Sequence, residues 1–226
     1  MKMLIKEIVL CTSIDLDELK NFYSGLLGLK VLKNEDQTIS FTAGSSILTF
    51  ENKSDYPDPK YHFAFNIPSN KFKEAKEYLT ASGIGLVSLD GNDEFDFKSW
   101  NAHSVYFYDP AGNILEFISR HNLKNDSDHK FSGDSILCIS EIGLPVKNVN
   151  EFFGEVQNTF EIPQFSGDKS TFAALGDDNG LFIIVNTGRI WYPDCGPAKE
   201  YPLKVLINSD QFKEIKYSEY QIFSET

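Results

Sequence analysis

The chain of 226 residues is poor in cysteine, in basic residues and in long apolar runs. Each shortage removes a class of protein. Its three cysteines, Cys11, Cys138 and Cys195, lie far apart, match no metal-ligand spacing and are too few and odd in number for a disulfide framework. A reducing compartment fits. Lys plus Arg total 21 against 33 Asp plus Glu, a net charge of -12. That balance argues against a nucleic-acid backbone as partner. No uninterrupted apolar run reaches the ~20 residues of a membrane-spanning helix. The opening MKMLIKEIVL meets charge again at Lys6 and Glu7, with no small-residue cleavage site behind a long apolar stretch. The expectation is a soluble cytoplasmic protein. No segment is of low complexity, and NEDQ (34–37) and DGNDEFD (90–96) are short acidic loops. With 41% hydrophobic residues the chain can bury a core, as one large domain or two small ones.

The chain repeats itself. IKEIVLCT (5–12) reads as a strand, and SIDLDELKNFYSGLLG (13–28) places Leu16, Leu19, Phe22, Tyr23, Leu26 and Leu27 at helical spacing, with Ser13 or Asp15 as cap and Gly28 as stop. Three short strands follow near 29–33, 38–42 and 46–51, completing a βαβββ unit. A second unit has a strand at YHFAFNIP (61–68), a helix over 70–83, and strands near 85–88, 103–108 and 113–119. ISEIGL (139–144) then matches IKEIVL (5–10), and LFIIVN (181–186) matches ILTFEN (47–52), both 134 residues on. YPLKVLIN (201–208) follows YHFAFNIP by 140, as QFKEIKYSEY (211–220) follows KFKEAKEYLT (71–80). These offsets predict an α+β fold of tandem βαβββ modules paired into open, cup-shaped sheets. The first pair covers 1–120, a polar linker 121–135, and a degenerate pair with a truncated last unit 136–226.

HSVYFYDPAGNILEF (103–117) concentrates the signals for chemistry. Asp109, Pro110 and Gly112 make a tight turn between two strands. Glu116 then sits between apolar neighbours and shares a strand face with Ile114. A carboxylate on an inner face needs a partner, because unpaired burial is expensive. His62 opens a comparable strand and shares a face with Ala64 and Asn66, while Glu7 shares one with Val9 and Cys11. Each alone fits a structural role. Together they fall on first and last strands of paired units, where a cup would bring nitrogen and carboxylate oxygen to one divalent ion.

These features resemble the vicinal oxygen chelate superfamily, which includes glyoxalases, bleomycin-resistance proteins and extradiol dioxygenases. The resemblance rests on FYSGLLGLKV (22–31), YHFAFNIP (61–68) and the Asp-Pro-x-Gly-Asn-x-x-Glu ending, and covers nearly all of 5–119. It implies paired βαβββ units around a metal cup, with Glu7, His62 and Glu116 as ligands to a divalent ion (Mn, Fe, Ni, Zn or Mg). A fourth ligand position falls on or beside Thr49. Glu7 replaces the usual first-strand His, so the set is not the two-His-one-carboxylate triad of iron dioxygenases.

Glu116 is also a candidate proton acceptor, His103 a candidate proton shuttle, and Tyr106 a candidate donor to a bound oxyanion. In the second half Glu141 repeats Glu7, Pro202 stands at the place of His62, and Glu116 has no counterpart before the chain ends. GRIWYPDCGP (188–197) has no match in the first half, and its Trp191 and Tyr192 are expected to pack the halves together rather than line a pocket. His121 and His129 fall in the linker, with no catalytic role expected. Two functions stand ahead of a third, a purely structural or regulatory partner. One is a metal-dependent lyase, isomerase or dioxygenase that chelates vicinal oxygens of a small substrate. The other is a metal-free protein that sequesters a small molecule. The partner is a small molecule rather than nucleic acid or membrane, and the protein is a monomer or homodimer.

Overall fold

The first unit forms as its pattern dictates. β1 (Ile5–Thr12) leads to α1 (Leu16–Lys20), which Asp15 caps by accepting from the Asp17 N–H at 2.9 Å. The helix runs on as a π-type turn (Asn21–Leu26), and Gly28 leaves it at φ +74. β2 (Lys30–Glu35), β3 (Thr38–Ala43) and β4 (Ser46–Asn52) complete the unit. This computed structural model describes residues 2–53 and 55–225.

The second unit is β5 (His62–Ile67), α2 (Phe72–Ala81), β6 (Phe95–Phe97), β7 (Ala102–Tyr108) and β8 (Ile114–Arg120). The strand expected at 85–88 shrinks to a single bridge, Leu86 to Phe107, and β6 takes the edge instead. The third unit is β9 (Cys138–Val146), α3 (Val149–Phe160), β10 (Gln164–Gly167), β11 (Phe172–Asp177) and β12 (Gly180–Asn186). α3 buries Val149, Phe152, Phe153, Val156 and Phe160, an apolar stripe at helical spacing.

The fourth unit differs from expectation. QFKEIKYSEY is not a second copy of the helix at 72–81. It forms β14 (Lys213–Tyr217) and the start of β15 (Tyr220–Glu225), directly after β13 (Leu203–Asn208). The reason lies in two positions. α2 buries Ala75 and Leu79, four residues apart, whereas the matching positions here are Ile215 and the exposed Glu219. Without an apolar i+4 partner the segment follows period two, with Ile215 buried between outward Glu214 and Lys216. β15 runs parallel to β13, as β8 does to β5. The unit is therefore shortened in its middle, and the last strand is present.

The pairing of units also departs from expectation. Units one and four share a seven-stranded sheet, β14-β15-β13-β1-β4-β3-β2. Units two and three share an eight-stranded sheet, β10-β11-β12-β9-β5-β8-β7-β6. The halves 1–120 and 136–226 are thus not two self-contained pairs. Each sheet joins both halves through antiparallel first strands, β1 with β13 and β5 with β9. The connecting segment 121–135 is itself packed, with Phe131 and Gly133 buried. The 134-residue offset does hold, since Glu7 pairs with Ile47 as Glu141 pairs with Leu181.

Alternation along the eight-stranded sheet sorts its two faces. Phe63, Phe65, Leu115, Phe117, Ile142, Leu144, Phe182 and Ile184 point into the main core shared with the helices and the other sheet. Ile114, Leu181, Ile183 and Val185 line the opposite, concave face. On that concave face His62, Glu116 and Glu141 interrupt the apolar lining.

Candidate functional site

The Asp-Pro turn builds the platform. Asp109 is buried, and its carboxylate accepts from the Asn113 N–H at 2.8 Å, Asn113 Nδ2 at 2.7 Å and the Tyr23 hydroxyl at 2.7 Å. Gly112, at φ +78, donates to the Asp109 carbonyl. Asn113 Oδ1 accepts from the Tyr61 N–H at 2.9 Å, which ties the turn to the start of β5. Register follows from these bonds. β8 lies parallel to β5 with His62 beside Ile114 and Ala64 beside Glu116. On the other edge of β5, Ala64 lies opposite Glu141. A small residue is thus flanked by two carboxylates, and His62 stands two positions away on the same face.

One ligating atom from each of His62, Glu116 and Glu141 lies within 4.8 Å of the others, and all three residues are buried. His62 Nδ1 is 3.2 Å from the Ile114 carbonyl, which accepts a proton only from the Nδ1–H tautomer. The lone pair of Nε2 then faces Glu116, 3.8 Å away. Burial pushes the His62 pKa down to about 4, so the ring is neutral near pH 7. That is the form a metal ligand takes, with its other nitrogen fixed by a carbonyl.

Burial, and then the neighbouring charge of Glu141, push Glu116 up to about 8. Ser104 donates to its Oε1, and Tyr106 lies directly opposite it across the β7–β8 ladder. Burial keeps the Tyr106 phenol well above its ordinary range, so it remains an O–H donor. Burial also raises Glu141, while the fully buried Arg120 opposes that shift by bonding Glu141 Oε1 through Nη2. Arg120 Nη1 is 3.7 Å from Asp178, and the guanidinium lies 5.6 Å from the Trp100 ring.

The donor chemistry fits a divalent cation. One neutral imidazole and two carboxylates converge, and the single guanidinium offsets only one of the two negative charges. In its absence Glu116 retains a proton; a bound cation would take that proton's place. The register also names a fourth position. Glu116 stands two residues beyond the partner of His62, and Ile183 stands two beyond the partner of Glu141. Three of four equivalent positions therefore carry donors. A cleft of about 220 Å³ opens above them, walled by Phe97, Trp100, Tyr106, Phe172, Trp191 and Tyr192.

Of the residues singled out from sequence, His62, Glu116 and Tyr106 meet at this cleft. Glu7 does not join them. It lies on β1 of the other sheet and accepts from the Thr49 hydroxyl at 2.7 Å, because unit one pairs with unit four. Thr49 stays with it, bonded also to Ser40. His103 is likewise elsewhere. It alternates away from Ser104 and Tyr106, packs against Phe72 and His121, and is half exposed, so no proton shuttle to Glu116 runs through it. Trp191 and Tyr192 line the cleft rather than simply joining the halves. The Trp191 ring is 5.0 Å from His62, and it fills the space over Gly143 where a Cβ would sit 2.6 Å from it. Sequence reasoning missed Glu141 and Arg120 as site residues. Glu141 was visible as the 134-residue repeat of Glu7, and only the pairing of units hid its place.

The glyoxalase/bleomycin resistance protein/dioxygenase superfamily model matches residues 5–117, half of the chain. The chain is 30% identical over 107 residues to the metallothiol transferase FosB of Staphylococcus saprophyticus, covering 45% of this chain and 68% of that protein. It is 32% identical over 110 residues to the metallothiol transferase FosB of Lysinibacillus sphaericus, covering 46% of this chain and 73% of that one. Glyoxalase I from Zea mays superposes with a TM-score of 0.61 at 13% identity, over 99% of this chain and 92% of that one, a likeness of fold. The matched span 5–117 contains His62 and Glu116 and stops short of Glu141.

Proposed function

This chain belongs to the glyoxalase/bleomycin resistance protein/dioxygenase superfamily, and we propose that it is a divalent-metal-dependent enzyme acting on a small substrate through two neighbouring oxygens. The observation that carries the reading is the convergence of His62, Glu116 and Glu141 on the floor of an aromatic-walled cleft. His62 Nε2 and one oxygen from each glutamate would hold the ion. When bound, the ion supplies Lewis-acid polarisation to substrate oxygens.

The chain's own groups supply the rest. The Tyr106 hydroxyl, opposite Glu116, donates to an oxygen on which negative charge develops. Glu116 turns toward His62 the carboxylate oxygen that would hold the ion, and the Ser104 hydroxyl fixes its other oxygen. Arg120 holds the Glu141 carboxylate in place from behind. Trp100 and Trp191 keep water from the sides of the cleft. Thiol transfer, named for the curated relatives, is one reaction this arrangement could serve.

A metal-free binding protein is the second reading, and the Arg120–Glu141 pair favours it, since a built-in cation already answers one carboxylate. Calorimetric titration with Mn(II), Fe(II), Ni(II), Zn(II) and Mg(II) separates the two. Saturable binding of one ion per chain, weakened about 100-fold or more by Glu141→Gln, supports the enzyme. Equal affinity for parent and variant, or no binding, leaves the binding protein.

A further inference from the structure

Among the chain's 21 basic side chains only two are arginines, Arg120 and Arg189, and both stand at this cleft. Arg120 is committed to Glu141. Arg189 is not committed to any acid. It is exposed at the mouth, stacks 5.0 Å from the Phe172 ring, and donates to the Thr171 carbonyl at 3.3 Å. Among the described residues no carboxylate pairs with it. In a chain of net charge -12, an unanswered guanidinium at the rim of an acidic-floored cleft is a local reversal of sign. Its planar fork suits a carboxylate in two parallel hydrogen bonds, which an ammonium does not match.

The cleft between rim and floor is aromatic. Trp100 and Phe172 lie nearly parallel at 6.4 Å, and Tyr192 meets the Phe97 ring at 5.6 Å. Tyr192 and its neighbour Ile190 keep 47% and 52% of their surface exposed, which leaves apolar area at the mouth for a ligand to cover. At about 220 Å³ the space is smaller than the roughly 300–1,000 Å³ of drug-sized pockets, so it suits a single ring.

We propose that the cleft takes a small aromatic acid, with its ring between the Trp100 and Tyr192 walls and its carboxylate on Arg189. This rests on the small-molecule reading of the cleft and is independent of the metal. Arg189 is thus a specificity residue, and the ligand is anionic although the protein is acidic.

The two tryptophans of the chain, Trp100 and Trp191, both line this cleft, so tryptophan fluorescence reports on its occupancy. The probes are 3-phenylpropanoate, its uncharged amide, and propanoate, titrated with and without Mn(II). The expected result is saturable quenching by 3-phenylpropanoate, binding about tenfold weaker for the amide (about 1.4 kcal/mol), and none for propanoate. Arg189→Gln should remove the preference for acid over amide, and Arg189→Lys should restore only part of it. Equal binding of acid and amide, an unchanged preference in Arg189→Gln, or no quenching by either ring-bearing probe would overturn the proposal. Mn(II) binding without acid binding defeats this inference alone. Acid binding without Mn(II) binding defeats the metal reading and leaves this one standing.

Discussion

Replacing Glu116 with glutamine should stabilise the metal-free protein in alkaline solution while crippling its affinity for a cation. In the folded chain the Glu116 carboxyl is pushed from 4.5 up to about 8, first by burial and then by Glu141. A raised acid pKa means that the folded state binds the proton more tightly than the unfolded state. Its contribution is fully present below about pH 4.5 and is lost as pH climbs to about 8. At ~1.4 kcal/mol per unit, the parent forfeits roughly 4 kcal/mol across that window. Glutamine has the shape of the protonated form and does not titrate. Refitting its amide beside Ser104 and Tyr106 costs about 1 kcal/mol. At pH 8 the metal-free variant should therefore be more stable by about 3 kcal/mol, or roughly 6–12 °C in Tm. At pH 5 the two should be nearly equal. His62 is common to both proteins, so its titration cancels. Mn(II) at roughly a thousandfold excess over Kd should reverse the order, because only the parent gains about 4 kcal/mol. Urea unfolding at pH 5, 6.5 and 8, with EDTA or Mn(II), measures all of this. If Glu116→Gln destabilises the metal-free protein as much at pH 8 as at pH 5, the carboxylate is held as an anion and the reasoning is wrong.

Two further outcomes follow from the same cluster. His62 has its pKa lowered by burial to about 4, so its contribution is intact above pH 6.5 and lost as pH falls to 4, about 3 kcal/mol in all; His62→Gln should flatten this acid limb in urea unfolding of the metal-free protein. Arg120→Met leaves Glu141 buried without its partner and should destabilise the protein by about 3–5 kcal/mol at pH 8. Added Mn(II) should raise the Tm of that variant by more than it raises the parent's, and an equal rise would show that Arg120 and the ion do not share Glu141.

Much of the fold was legible because period and offset are local properties. The 134-residue repeat located β9 and β12 from β1 and β4, and the turn at Asp109 announced the β7–β8 hairpin that carries Glu116. The fourth unit misled because four matched letters, Phe212, Lys213, Glu214 and Lys216, fall at positions that are not fully buried in either structure. The residues that decide between helix and strand are the inward ones, and there Ile215 has no partner four residues on. Which unit pairs with which could not be read at all. All six residues of β5 and all nine of β9 are buried, as central strands require, but that pattern names no neighbour.

The pairing matters because duplication supplies two cups and only one has kept donors. In the eight-stranded sheet Glu141 faces Ala64, two residues from His62. In the seven-stranded sheet Glu7 faces Leu206, and the same step along the strand leads to Lys204. Lys204, not Pro202, is therefore the counterpart of His62, Thr49 is the counterpart of Ile183, and the apolar Phe223 stands at the place of Glu116. One carboxylate, one hydroxyl and one ammonium do not make a cation site, since an ammonium offers no lone pair. Lys204 instead pairs with Glu51 at 3.5 Å, and Glu7 spends its carboxylate on Thr49. The same four strand positions thus hold settled charges in one sheet and, in the other, a second buried carboxyl that is neutral only while it keeps its proton. Ionising that carboxyl is unfavourable for folding unless a cation answers it. The argument for a cation at His62, Glu116 and Glu141 is therefore the contrast within the chain itself, since one cup settles its charges between its own side chains and the other does so only by protonating Glu116.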